Sequence, residues 1–233
     1  MSMINTIADP LAKVTARIQQ AVAAARRNGE TVRLIAVSKT HPANLLAQAY
    51  ACGQRDFGEN YLQEALEKQA ELTDLADIVW HFIGPIQSNK TRAIAKNFAW
   101  IHSIDREKIA QRLNEQRPDD LPPLQVCLQV NIDDEDTKSG VSLAELPALA
   151  KVVSQLPRLQ LRGLMAVPAA KDNIQQQRAG FAKLHGALVE LQQLGYTVDT
   201  LSMGMSGDLE AAIAEGATMV RVGTDIFGVR ASA

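Results

Sequence analysis

Residues 33–53 read RLIAVSKTHPANLLAQAYACG. The apolar run from Arg33 to Lys39 has the length and β-branched content of a buried strand. A helical pattern then runs from about Pro42 to Cys52, and Gly53 stops it. Strand, short loop, helix and glycine make one βα unit, and a strand followed by its own helix needs a parallel neighbour.

The same unit recurs along the chain. Asp56 to Glu59 is a second strand, with a helix from about Tyr61 to Leu72. Ile78 to Ile83 ends at Gly84-Pro85 and is followed by a helix from Lys90 to Asn97. Trp100 to Ile104 and its helix, Arg106 to Gln116, come next. Leu124 to Val130 is a fifth strand, separated by the polar loop Asn131 to Gly140 from a helix spanning roughly Leu143 to Gln155, with Pro147 in its first turn. Leu159 to Val167 precedes a helix from Ile174 to Leu194. Thr200 to Met203 precedes Leu209 to Ala214, and Met219 to Val222 is the eighth strand. Ahead of all these, Asp9-Pro10 opens a helix whose Leu11, Val14, Ile18, Val22 and Ala25 share one face. Eight strands, seven following helices and a leading helix are the parts of a (β/α)8 TIM barrel. The leading helix would cover the gap left by a missing eighth. An open doubly wound sheet normally needs fewer strands, and no G-x-G-x-x-G follows the first strand. No linker or shift in composition divides residues 1–233, so a single domain is expected.

The totals narrow the function classes. With 46% hydrophobic residues in 233, the chain can bury a sizeable core. Its 24 basic and 26 acidic residues leave no electrostatic footprint for nucleic acid or an anionic membrane. Cys52 and Cys127 form no CxxC pair and read as reduced thiols of a cytoplasmic protein. No signal peptide or spanning segment is recognisable. Without an exposed heptad seam, a monomer is expected.

Chemistry in parallel α/β proteins collects at the carboxyl ends of strands, where Lys39 stands. A lysine there, with its ammonium discharged, can form an imine with a carbonyl compound. Two glycine-bearing segments follow the seventh and eighth strands: Ser202-Met203-Gly204-Met205-Ser206-Gly207-Asp208 and Arg221-Val222-Gly223-Thr224. Barrels commonly hold phosphate there, because glycines admit the backbone and hydroxyls donate. Read alone, either segment could simply shape a turn, with Ser206 or Asp208 capping a helix. An imine-forming lysine beside a phosphate grip describes pyridoxal 5'-phosphate better than a free sugar or keto acid. Lys39 would take the aldehyde, and Ser202, Gly204, Ser206, Gly223 and Thr224 the phosphate. Arg221 between them, facing the ring nitrogen, would keep that nitrogen unprotonated and weaken the ring as an electron sink.

At these residues the sequence resembles the YggS/PROSC family of pyridoxal phosphate homeostasis proteins over nearly its whole length. The carrying segments are Ala36 to Thr40, Phe57 to Tyr61, His81 to Lys90, Ser202 to Ser206 and Arg221 to Thr224. The resemblance implies the fold of the alanine racemase barrel domain (fold-type III) and a role in the intracellular supply of B6 vitamers, with indirect effects on amino-acid and keto-acid pools. By position it makes Lys39 the Schiff-base lysine, Asn60 a residue near the ring, Ser206 and Gly223-Thr224 the phosphate cradle, and Arg221 the partner of the ring nitrogen.

Three activities fit these features. The first is a non-catalytic holder of pyridoxal phosphate that releases it to other proteins, with apoenzymes as transient partners. The second is a weak fold-type III enzyme acting on amino acids. The third is a Schiff-base aldolase. Two-base racemisation needs an acid/base on each face of the cofactor, and Lys39 supplies one. Tyr61 is the one tyrosine near a strand end, and the sequence stops just after the eighth strand. His41, His81, His102 and His185 show no metal spacing, and core packing is expected for His81, His102 and His185. The acidic run Asp133 to Asp136 reads as a solvated loop. Lys138, at the same end of the barrel, is expected to be able to hold the cofactor transiently.

Overall fold

The computed structural model describes residues 6–133 and 139–229. Helix α1 (Ala8–Ala24) leads into β1 (Arg33–Val37), α2 (Ala43–Ala51), β2 (Asp56–Glu59), α3 (Leu62–Glu71) and β3 (Val79–Phe82). Then come α4 (Thr91–Asn97), β4 (Trp100–Ile104), α5 (Glu107–Gln116), β5 (Leu124–Gln129), α6 (Leu146–Ser154) and β6 (Leu159–Met165). The chain continues through α7 (Ile174–Gln193), β7 (Thr200–Ser202), α8 (Leu209–Ala214), β8 (Met219–Val222) and α9 (Thr224–Phe227). The strands form a closed parallel barrel in sequence order. Closure runs through β1, which pairs with β2 on one side and β8 on the other, with Ile35 opposite Arg221. The expected TIM barrel is therefore observed.

Each helix lays an apolar stripe on the strands. In α1 the stripe is Leu11, Val14, Ile18 and Ala21, all buried. This helix packs on α8, α9 and α2, so it occupies the wall that the four-residue α9 is too short to cover. The short α9 itself has no periodicity to read in the sequence. Helix α6 begins three residues later than its apolar pattern suggests. The turn before it is closed by a reciprocal capping box, in which Glu145 N donates to Ser142 Oγ and Ser142 N to Glu145 Oε2, at 3.2 and 3.1 Å. Among the described residues no helix is long and apolar enough to cross a membrane.

Inside the barrel the filling divides into two kinds. Ile35, Trp100, Cys127, Met165 and Met219 form a small apolar cluster separate from the main core between strands and helices. The rest of the interior is polar: His81, His102, Ser202 and Arg221 are all buried there. His185, in contrast, is exposed on α7 rather than packed in the core.

The barrel tolerates no side chain at Gly163 of β6, which lies opposite Thr200 of β7. A Cβ built there would stand 1.9 Å from the Thr200 carbonyl oxygen. Gly163→Ala should therefore force β6 and β7 apart. The expected loss in urea unfolding is about 3 kcal/mol, the upper end for overpacking, and a loss within experimental error would show that the ladder yields freely.

Candidate functional site at the carboxyl end of the barrel

Strand β1 ends at Val37, so Lys39 lies on the loop just beyond it rather than in the strand. Its neighbours on both sides are tied down. Ser38 Oγ donates to Glu59 Oε1 at 2.6 Å, and Lys68 Nζ donates to the Ser38 carbonyl at 2.6 Å. Lys68 also meets Glu59 and Glu64, at 2.7 and 2.5 Å. Glu64 in turn accepts from the Thr40 amide at 2.5 Å. Thr40 is left-handed, with φ of 67°, an uncommon state for a β-branched residue that this bond helps to hold. The backbone around Lys39 is thus fixed by one buried cluster drawn from β2 and α3.

That cluster is built on an expensive group. Glu59 is fully buried, and its Oε2 has no hydrogen-bond partner. Burial raises its carboxyl above the usual range even though Lys68 and Ser38 pull the other way.

On β8, the strand that pairs with β1, stands Arg221. It is buried, and no carboxylate among the described residues lies in ion-pair range of it. Its Nη1 donates to the Ser202 carbonyl and hydroxyl, both at 2.7 Å, and its Nη2 to the Ala166 carbonyl at 2.9 Å. Burial pushes the guanidinium down to about 10, which leaves it a cation at neutral pH.

Beside Arg221, the loops after β7 and β8 are joined by Arg17 of α1. It donates to the Ser206 carbonyl at 3.1 Å and pairs with Glu210 and Asp225 at 2.9 and 2.5 Å. Asn60 follows β2, and its backbone packs so closely on Gly84 that a Cβ there would lie 2.3 Å from the Asn60 carbonyl oxygen. The Asn60 Oδ1 atom is buried with no partner.

These parts enclose a cavity of about 300 Å³. Lys39, Asn60, Ser206, Arg221, Gly223 and Thr224 line it, as the sequence suggested. Ser202 and Gly204, also expected in a phosphate cradle, do not line this cavity. Ser202 is turned into the barrel, where its hydroxyl is engaged by Arg221 and His102. Gly204 is a packing glycine: its φ is 96°, and a Cβ would fall 2.6 Å from the Ala212 Cβ on α8. The sequence reading missed Val37, Ile83, Val167, Met205 and Gly207, which supply the rest of the lining. Ile83 and Val167 stand just past β3 and β6, so their position at strand ends was the available signal. Tyr61 is 52% exposed and does not line the cavity. Asp134, Glu135, Asp136 and Lys138 lie outside the described residues.

Comparison with known proteins agrees with this geometry. The family model "Alanine racemase, N-terminal domain" matches residues 11–231. The pyridoxal phosphate homeostasis protein of Pseudomonas aeruginosa is 62% identical over 227 residues, covering 97% of both chains. This chain belongs to the pyridoxal phosphate homeostasis protein family. The Escherichia coli member is 51% identical over 229 residues, covering 97% of this chain and 98% of its own. PipY of Synechococcus elongatus, solved with PLP bound, superposes with a TM-score of 0.80 at 44% identity, over 91% of this chain and 100% of its own. Alanine racemase of Corynebacterium glutamicum, at 20% identity and a TM-score of 0.67, shares the fold over 97% of this chain and 62% of its own. The resemblance to the YggS/PROSC family seen in the sequence is therefore established.

Two stability experiments follow from the buried groups of this family member. Lys68→Met would leave Glu59 without its cation and remove the ties of Lys68 to the Ser38 carbonyl and to Glu64. It should cost roughly 3–5 kcal/mol in urea unfolding, and a change under about 1 kcal/mol would show that the cluster is dispensable. The second concerns His81 and His102. Burial lowers both imidazoles, Asp56 partly opposing this at His81 while His81, Arg221 and Arg33 add to it at His102. The unfolded chain then binds protons below about pH 6.5 that the folded chain refuses, so stability present above that pH is lost as the pH falls. Each imidazole contributes a slope of up to about 1.4 kcal/mol per pH unit. Glu59 titrates in the opposite sense, so the diagnostic is a shallower acid slope in His102→Asn than in the wild type. Equal slopes would contradict a neutral buried pair.

Proposed function

We propose that this chain binds pyridoxal 5'-phosphate, held covalently by Lys39, and maintains the cell's supply of it by holding and releasing the cofactor. One observation carries the reading: a buried guanidinium with no carboxylate partner among the described residues opens into a cavity that also contains a lysine. Such a cavity suits an anionic ligand that has a carbonyl group and an acceptor for Arg221. The remaining donor set fits as well. Gly223 lies so close to Val37 that a Cβ would stand 3.0 Å from its carbonyl oxygen, which leaves bare backbone facing the cavity beside Thr224 and Ser206. The orphaned Asn60 Oδ1 supplies a polar atom in want of a partner.

When bound, pyridoxal phosphate supplies an aldehyde that bonds to amines and a ring that can draw electron density from them. The residues of this chain have separate tasks. Lys39 provides the amine. Ser206, Gly207, Gly223 and Thr224 bind phosphate through hydroxyl and backbone N–H groups. Arg221 presents a permanent donor to the ring nitrogen and so opposes its protonation. Ile83, Val167 and Met205 would offer the ring apolar surface.

Absence of catalysis belongs to the same proposal. Among the described residues that line the cavity, Lys39 and Arg221 are the charged side chains, and a guanidinium does not give up its proton, which leaves Lys39 as the one amine that can serve as an acid/base. With no second base opposite it, and with a ring nitrogen denied its proton, turnover of amino acids is disfavoured. On this reading the protein acts in the cytoplasm as a monomer and passes the cofactor to apoenzymes by transient contact.

The test is spectroscopic. Wild-type protein mixed with pyridoxal phosphate should develop a visible absorption band that borohydride fixes to Lys39, and Lys39→Ala should lose or alter it. Amino acids added to the loaded wild type should undergo no sustained racemisation or transamination. A colourless wild type would refute the cofactor, whereas rapid turnover would refute the carrier role and favour a fold-type III enzyme.

A further inference from the structure

Below Arg221, the barrel interior holds a chain of polar side chains to which the proposed function assigns no task. Ser202 Oγ lies 2.7 Å from Arg221 Nη1 and 2.7 Å from His102 Nδ1. His102 Nε2 lies 2.9 Å from His81 Nδ1, and His81 Nε2 lies 2.9 Å from Asp56 Oδ1. These residues come from β8, β7, β4, β3 and β2 in turn. The chain therefore descends from the carboxyl end of the barrel to its amino end, where Asp56 opens β2 and meets Arg33 at 3.6 Å. All members except Asp56 are buried.

Both ends dictate the direction of every bond between them. A guanidinium can only donate, so Ser202 Oγ accepts from Arg221. The hydroxyl proton of Ser202 then has one acceptor within reach, His102 Nδ1, and His102 must carry its own proton on Nε2. From the other end, a carboxylate can only accept, so His81 carries its proton on Nε2. In a neutral ring that leaves His81 Nδ1 as an acceptor, and His102 Nε2–H is its donor. The two derivations meet at the same pair of tautomers. Reversing the chain would bring two donors to Ser202 Oγ and strand its proton in the barrel interior, the costly case of an unmade buried hydrogen bond.

We propose that Asp56, His81 and His102 are positioning residues for Arg221, acting through a one-way hydrogen-bond chain that turns the Ser202 hydroxyl to accept from Nη1. With the Ser202 and Ala166 carbonyls also engaged, this leaves Nε–H and one Nη2–H of Arg221 as the donors for a ligand. A carboxylate at the opposite mouth of the barrel thereby helps set the face that Arg221 offers to the cavity. The consequence for pyridoxal phosphate rests on the function proposed above, but the chain and its tautomers do not.

The decisive measurement is long-range ¹⁵N–¹H correlation on ¹⁵N-histidine-labelled, ligand-free protein near neutral pH. His81 and His102 should both appear as Nε2–H tautomers in slow exchange. An Nδ1–H tautomer at either ring, or a rapidly averaging mixture, would overturn the proposal. A folded Asp56→Ala protein should then show mixed tautomers at both rings. Loaded with pyridoxal phosphate, it should show a shifted visible maximum and an affinity weakened by roughly tenfold, the scale of one charge-assisted hydrogen bond. Unchanged tautomers and an unshifted spectrum in that variant would also overturn it. If the variant does not fold, the wild-type tautomers decide alone. A wild type that takes up no pyridoxal phosphate would sink the cofactor reading while leaving the tautomer result to stand or fall separately.

Discussion

A guanidinium sealed inside the barrel, with no carboxylate among the described residues in ion-pair range, governs the carboxyl half of this molecule. Taking such a charge out of water costs several kcal/mol unless its donors are met. Arg221 meets that demand with carbonyls from the exits of β6 and β7 and with the Ser202 hydroxyl. Its own amide donates to the Gly204 carbonyl at 2.9 Å. Three neighbouring strands are therefore held in mutual position by one side chain. The cation left at their centre gives the cavity above its electrostatic character.

Barrel closure places the lysine in step with this group. Ile35 of β1 lies opposite Arg221 of β8 and Ala36 opposite Val222, so Lys39, three residues beyond Ala36, emerges on the same rim as the Gly223-Thr224 turn. Parallel strands advance together, and the loops that follow adjoining strands must share one rim. The two sides of the rim are fixed differently. Around Lys39 the constraint is ionic, with Lys68, Glu59 and Glu64 holding Ser38 and Thr40. Around the glycine turns it is a clamp from outside the barrel, Arg17 of α1 reaching Ser206, Glu210 and Asp225. The leading helix thus does more than cover a gap in the wall.

What could be read from the sequence follows from the range of each signal. Strand and helix periodicity is local, which is why β2, β4 and β8 were placed to the residue while α9, a single turn, was not seen. Lys39, Arg221 and Gly223-Thr224 were legible because strand ends in a parallel barrel are chemically privileged positions. The bonds of Ser202 to Arg221 and His102 were not legible, because alternation along a three-residue strand leaves its inward or outward face undecided without the partner it bonds. The ties of Lys68 to Ser38 and of Arg17 to Ser206 join residues 30 and 189 positions apart, and no spacing rule connects such pairs. His81 and His102 were recognisable as core histidines from their strands, but their contact with each other depends on the β3–β4 register.

The polar interior also bears on whether the barrel could pass protons to the cavity. Transfer along a hydrogen-bonded chain leaves every member in the reversed orientation, so the chain must be stable in both directions to work repeatedly. Here it is stable in one. Arg221 cannot accept and the Asp56 carboxylate cannot donate, and both imidazoles are held neutral by burial. Cys127, the other titratable group of the interior, is pushed up to about 12 and stays a thiol. A proton required above Arg221 would therefore have to come from Lys39 or from solvent through the open mouth. The barrel beneath the cavity can orient a ligand, but among the described residues it has no group able to take up or release a proton for it near neutral pH, which agrees with the retention proposed above.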